Sequence, residues 1–211
     1  MSDTCDKADK RQKLLEVAES LFAKHGFEAV SVRQLAAEAD VNLSMVSYYF
    51  GSKDGLFQEM IKSKFPQTRS VLEDLAQSDI HPWEKLTITI DMYVDKFFLG
   101  RAFHRVIMRE MSLQQRPEHV NLIREHMARS QELIRGFIHE GQKKGLFKYV
   151  DVELTIATLF GTLSSAINQG ALTCSMLKET NLEALYSDQN RERYKQHLKA
   201  LLHAHLMTAG V

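Results

Sequence analysis

The sequence holds few of the residues that interrupt a helix. Its 211 positions include three prolines and ten glycines, and long stretches carry neither. Apolar residues in those stretches recur at helical spacing, which predicts an all-α chain with no convincing strand. Cysteine is scarce too. Cys5 and Cys174 lie far apart and belong to no metal or redox motif, which fits a reducing cytoplasm. No run of 18 apolar residues occurs, so no membrane span is expected, and the polar start MSDTCDKADK is unlike a signal peptide.

Net charge is also lacking. Lys and Arg number 27, and Asp and Glu number 27. Residues 1–53 carry seven basic side chains against eight acidic ones, a net charge of −1. Nonspecific coating of nucleic acid needs more positive charge than that; specific binding through a few well-placed cations does not. Catalytic motifs are missing as well: there is no nucleotide-binding glycine loop, nucleophile elbow or metallohydrolase motif. Among nine histidines, His203 and His205 are two apart and His119 and His126 are seven apart, spacings that do not suit a metal site on a helix. The expectation is no enzyme, no metal and no other cofactor.

What is present is a run of capped helices. Leu14, Ala18, Leu21 and Phe22 make one apolar face of a first helix from about Asp9 to His25, ended by Gly26. Ser31 caps a second helix, with Gln34 placed to complete a capping box. Val32, Leu35, Ala36 and Ala39 form its buried stripe, Asp40-Val41 makes a turn, and Asn42 caps a third helix from Leu43 to Phe50. Ser52 caps a fourth, with Asp54 favourable in its first turn. Pro66 removes a backbone donor, which predicts a kink or break and a second segment near Thr68 to Ala76. Further helices are expected from Pro82 to about Gly100, Ala102 to Ser112, Pro117 to near Gly145, over about 20 residues after Asp151, and from Gln189 to Met207.

The layout of residues 31–53 is that of a helix-turn-helix that sets its second helix in a DNA major groove. At 100° per residue Val46 and Phe50 share the inward face of that helix. Ser44, Ser47 and Tyr48 lie opposite, with Leu43 and Met45 on the flanks. Serine bonds various base edges, and an apolar flank can meet a thymine methyl. Tyr48 suits a phosphate or the sugar wall, and Tyr49 is balanced between DNA contact and packing. Arg33, Lys53 and the amides that open the fourth helix are placed to hold phosphates.

The segment QKLLEVAESLFAKHGFEAVSVRQLAAEADVNLSMVSYYFGSKDGLF resembles the N-terminal domain of TetR/AcrR-type bacterial transcriptional regulators. The resemblance rests on His25-Gly26-Phe27, the Ser31-capped helix, Ala36, Ala39, Val41, the triplet Tyr48-Tyr49-Phe50, and Ser52-Lys53 followed by an acid. It covers about the first 60 residues; beyond them EGQKKGLFKYVDVE is similar to the turn before the dimerisation helices of many members. Arg33, Asn42, Tyr48 and Lys53 match positions that commonly touch DNA in the family. Leu43, Ser44 and Ser47 stand where many members have Lys, Gly and Tyr, which makes this recognition face less charged.

The resemblance implies a homodimer on a palindromic operator and an effector cavity in the larger domain. The expected division is residues 1–55 for DNA binding and 56–211 for regulation and dimerisation. The helix after Asp151 carries a stripe of Ile156, Phe160, Leu163 and Ile167, and the last helix offers Leu198 and Leu202, so these six are candidate dimer contacts. Ala157, Gly161 and Ser165 recur every four positions on the same helix and would allow close helix approach. Phe97, Phe103, Met108, Met111, Met127 and Phe137 are candidates to line a site for a small apolar or amphipathic effector, though core packing explains each alone. The expected function is a ligand-responsive repressor. The competing reading is a helix-turn-helix protein whose C-terminal domain binds a protein partner instead.

Overall fold

The computed structural model describes residues 2–208, with side chains from residue 8 onward. Eleven helices are found among them: α1 Ser2–His25, α2 Val32–Glu38, α3 Leu43–Phe50, α4 Lys53–Gln77, α5 Pro82–Leu99, α6 Arg101–Leu113, α7 Pro117–Lys143, α8 Val152–Asn168, α9 Gly170–Leu177, α10 Leu182–Leu185 and α11 Asp188–Leu206. The fold is all-α. Among the described residues the only extended pairing is a single bridge between Phe147 and Met207.

The caps expected from sequence are made. Ser31 Oγ accepts from Gln34 N at 3.1 Å, Asn42 Oδ1 from Ser44 N at 3.0 Å, and Ser52 Oγ from Gly55 N at 3.0 Å. Each satisfies an amide that the helix itself cannot, a stabilisation of about 1 kcal/mol. Gly26 ends α1 at φ 84°, and the Arg109 guanidinium packs against it so closely that a β-carbon would meet Cζ at 2.7 Å. Asp40 takes a left-handed turn at φ 54° between α2 and α3, a conformation that aspartate tolerates better than most residues.

Pro66 neither breaks α4 nor starts a new segment. The helix runs unbroken from Lys53 to Gln77. Proline deletes one backbone bond, but Met60, Ile61, Thr68, Leu72 and Leu75 are buried on both sides of it, and that packing holds the turns in register. Helix α1 also begins earlier than its apolar stripe, and α9 and α10 fill a stretch where periodicity shows no helix.

The chain packs as two compact units. One comprises residues 1–66 with 102–125, the other 67–101 with 126–211. The first therefore includes α6 and the start of α7, which a division at residue 55 leaves out. Its core gathers Leu14, Phe22, Leu35, Val46, Leu56 and Phe57, with the Phe22, Phe27 and Phe57 rings 5.2 to 6.2 Å apart. The second is built from α5, α8, α11 and most of α7 around Ile90, Phe98, Ile134, Leu163 and Leu198. There Gly141 lies directly against the Phe147 ring, where a β-carbon would meet Cδ2 at 2.1 Å. Gly141→Ala is expected to destabilise the protein by about 1–3 kcal/mol through overpacking, read as a lowered melting temperature.

Candidate nucleic-acid interface

Helices α2 and α3 are held from below. Leu35, Ala36, Ala39, Val46 and Phe50 are buried, so the opposite face of α3 is outward. Ser44, Ser47 and Asn42 are exposed, as is Arg33 on α2. Tyr48 stands 70% exposed, its ring edge-on to Tyr49 at 5.1 Å. Leu43 is 46% exposed, Met45 is half-buried, and Tyr49 is half-buried with its hydroxyl enclosed and without a hydrogen-bond partner.

The local bonds set what this face offers. The Ser44 hydroxyl donates to Asn42 Oδ1 at 3.0 Å, so its oxygen is left as an acceptor. Asn42 has its carbonyl oxygen committed to Ser44 and keeps its amide nitrogen as a donor. Lys53 differs from the simple phosphate anchor expected of it. Its ammonium donates to Phe27 O at 2.9 Å and Val30 O at 3.0 Å and lies 4.3 Å from the Phe27 ring. Two of its three protons thus tie the α1–α2 loop to the start of α4.

Sequence reading missed a second set of residues around that loop. Arg116 bonds both oxygens of Glu110 at 3.1 and 2.9 Å, pairs with Glu28, and sits 4.6 Å from the Phe27 ring. His119 is 1% exposed, stacked on Phe57 at 4.0 Å and edge-on to Phe27 at 4.8 Å. Its Nδ1 lies 3.3 Å from Glu110 Oε2 and its Nε2 3.1 Å from Asp54 Oδ1. Burial pushes the Glu110 carboxyl up, but hydrogen bonds from His119 and Arg116 outweigh it and hold the group below the usual carboxylate range. The Arg116 hydrogen bond and charge lower Glu28 likewise. Desolvation lowers Arg116, but its bonds to Glu28 and Glu110 prevail and raise it. No local motif announces this cluster, because its members are up to 91 positions apart.

The candidate dimer contacts lie in or against the core of their own unit. Ile156, Leu163, Ile167, Leu198 and Leu202 are buried in the second unit's own core, and Phe160 packs against it. The reason is that the strongest apolar stripe of a helix is drawn to the core available within its own chain. The outward face of α8 instead carries Leu154, Ala157, Thr158 and Gly161, and on α11 Leu201 is exposed. Beside them Gly161, Thr162, Ser165, Thr173, Met176 and Tyr194 help to line an open groove of about 570 Å³.

The six effector candidates are not brought together in one unit. Phe97 and Phe137 are buried in the core of the second unit, where Met127 is half-buried. Phe103, Met108 and Met111 belong to the first. A cavity within the second core, bounded by Leu86, Thr89, Ile138, Thr155 and Leu202 among others, measures about 10 Å³, room for one water at most. Tyr93 is buried nearby in sequence, its hydroxyl bonded to Ser130, and burial pushes its pKa up to about 12. No group of residues suited to a metal ion occurs among the described residues, and none of their helices is long and apolar enough to cross a membrane.

A capped reader helix with a small polar outward face places the molecule among DNA-binding transcription regulators rather than enzymes. Comparison with known proteins narrows this. The model of bacterial regulatory proteins, tetR family, matches residues 14–60, and that of the tetracyclin repressor-like C-terminal domain matches residues 79–168. The chain belongs to the TetR family. It is 30% identical over 147 residues to the probable HTH-type transcriptional regulator YttP of Bacillus subtilis strain 168, covering 65% of this chain and 67% of that one. It is 31% identical over 157 residues to the HTH-type transcriptional repressor NicS of Pseudomonas putida, covering 67% and 68%. The same fold is seen in the ketosteroid transcriptional regulator KstR2 of Mycobacterium tuberculosis, with a TM-score of 0.72 at 18% identity over 94% of this chain and 95% of that one.

Proposed function

We propose that the protein is a cytoplasmic repressor that binds a palindromic operator as a homodimer and releases it when a small apolar or amphipathic effector binds. The observation that carries the reading is the outward face of α3. Tyr48 stands exposed beside Ser44 and Ser47, while Val46 and Phe50 anchor the helix beneath. A phenol and hydroxyl oxygens left unpacked at the surface have a use when a groove is laid over them. Residues 1–55 then read DNA, with Arg33, Asn42, Leu43, Ser44, Met45, Ser47, Tyr48, Tyr49 and Lys53 at or near the contact. Two such helices in a dimer must stand about 34–36 Å apart, one turn of DNA, or at a similar groove-matched spacing. An effector that binds better to a dimer with another spacing releases the DNA by population shift. The small outward residues of α8 and the exposed Leu154 and Leu201 support the dimer as the form that binds.

Selection from random-sequence DNA with the purified protein tests this directly. Enrichment of a palindrome is the expected result, and enrichment of nothing sinks the account. On the selected duplex, Arg33→Ala should weaken binding to every sequence and reduce the salt slope by about 1. Ser44→Ala or Ser47→Ala should change base preference by about 1–3 kcal/mol with the slope unaltered. Lys53→Ala should also lower the melting temperature, because it strips donors from the Phe27 and Val30 carbonyls. If all four variants moved salt slope and base preference alike, the division into positioning and reading residues would be wrong.

A further inference from the structure

The cluster around His119 is built for a charged ring. A neutral imidazole has one N–H and one lone pair. Here Nδ1 faces Glu110 at 3.3 Å and Nε2 faces Asp54 at 3.1 Å. In either neutral tautomer a lone pair therefore confronts a carboxylate. The imidazolium presents positive charge to both, and its face lies on the Phe57 ring. The Asp54 contact is one of charge, out of line for a hydrogen bond, so the buried Nε2 has no hydrogen-bond partner.

The other charged groups of the cluster come from several elements of the first unit. Asp54 and Lys53 come from α4, Glu110 and Arg109 from α6, Arg116 from the α6–α7 connection, and Glu28 from the α1–α2 loop. Arg116 stays cationic, and Glu28 and Glu110 stay anionic, for the reasons given above. Histidine is the side-chain type whose charge changes near neutral pH, and His119 is the histidine of this cluster.

Its partners are the parts that fix the reader. Asp54 lies in the first turn of α4, beside the Lys53 that ties down Phe27 and Val30. Glu110 is held by the Arg116 that reaches Glu28 on the same loop. That loop leads directly into α2. Losing the charge on His119 sets two carboxylates against each other across an enclosed ring and loosens both ends of the α1–α2 loop. We propose that His119 is a positioning residue for DNA binding, acting as an imidazolium clamp between Asp54 and Glu110 that makes operator affinity fall as pH rises. The proposal rests on α2–α3 being the DNA reader. The sign follows from the geometry: a ring set between two carboxylates fits them as a cation, and lower pH favours the cation.

The test uses the full-length protein and the duplex it selects from random DNA, titrated at about pH 5.5 and about pH 8 at one ionic strength, the range in which imidazole changes charge. Wild-type affinity should fall on the order of tenfold across that range. His119→Gln should lose most of this step and bind at both pH values about as weakly as wild type does at the higher one. Asp54→Asn, at an exposed carboxylate, should shrink the step and serves if His119→Gln fails to fold. Hydrogen exchange in the DNA-free protein should show residues 26–31 losing protection with rising pH in wild type beyond any change in His119→Gln. Failure to enrich any duplex overturns the reader assignment and the proposal with it. Enrichment followed by equally steep pH profiles in wild type and the variants overturns the proposal alone.

Discussion

Gly161→Arg is expected to split the proposed homodimer into monomers and to weaken operator binding roughly a thousandfold or more, towards the nonspecific level. Gly161 is exposed on α8, and a β-carbon there would meet nothing within 4 Å. An arginine at this position therefore leaves the fold of the single chain intact. Across the helix pair of the proposed dimer it would introduce bulk and an unpaired charge where Ala157 and Gly161 otherwise permit approach. Light scattering after size exclusion reads the oligomeric state, and a DNA titration reads the affinity. A variant that stays dimeric shows that the contact lies elsewhere. A variant that becomes monomeric and still binds the full palindrome at wild-type strength removes the need for a dimer.

Glu140→Ala should be far more damaging than Lys85→Met, although each removes one half of the same ion pair. The Lys85 ammonium lies 2.9 Å from Glu140 Oε2 with its side chain 3% exposed, and 5.8 Å from the Phe137 ring. Removing the carboxylate strands a cation in the core, at a cost of about 3–5 kcal/mol. In a chain of this length that lowers the melting temperature by about 10 °C. Removing the cation leaves Glu140 part-exposed and still paired with Lys144 at 2.7 Å. Met fills the volume of the lysine stem, so the change should stay within about 1.5 kcal/mol. Acid should imitate the first variant. Lys144 first, then Lys85, hold the Glu140 carboxyl below its ordinary range against the opposing effect of burial. A depressed folded-state pKa contributes stability that is present above the unfolded value and lost as pH falls through the folded one. Equal melting temperatures for the two variants would show that the pair is hydrated and contributes little.

The helix-turn-helix segment was the most legible part of the chain. Ser31, Asn42 and Ser52 cap the helices expected of them, and α3 runs from Leu43 to Phe50 as its periodicity predicts. Caps and the i, i+3, i+4 pattern act within one or two turns, so the information lies beside the residues that use it. A kink or break was expected at Pro66, and the break is absent because the context of the residue outweighs its local rule. One lost backbone bond does not break a helix packed on both sides of the gap. Lys53 was placed correctly on α4, yet its partners Phe27 and Val30 lie more than 20 positions away and no motif names them.

By itself the sequence determined the all-α class, the helix-turn-helix and the identity of its exposed and buried faces. Hydrogen bonding and side-chain periodicity within a helix leave no other arrangement for those residues. Only the tertiary structure decided which stripe of α8 and α11 faces inward, and which residues brace the reader. The apolar stripe of Ile156, Leu163 and Leu198 joins its own chain's core and leaves Leu154, Ala157 and Gly161 outside. Glu28, Asp54, Glu110, Arg116 and His119 join in one cluster from five separate segments, with Arg116 and His119 against the ring of Phe27. Both outcomes depend on which surfaces meet when helices distant in sequence pack together, and that is set by the competition among the helices of each unit for its core.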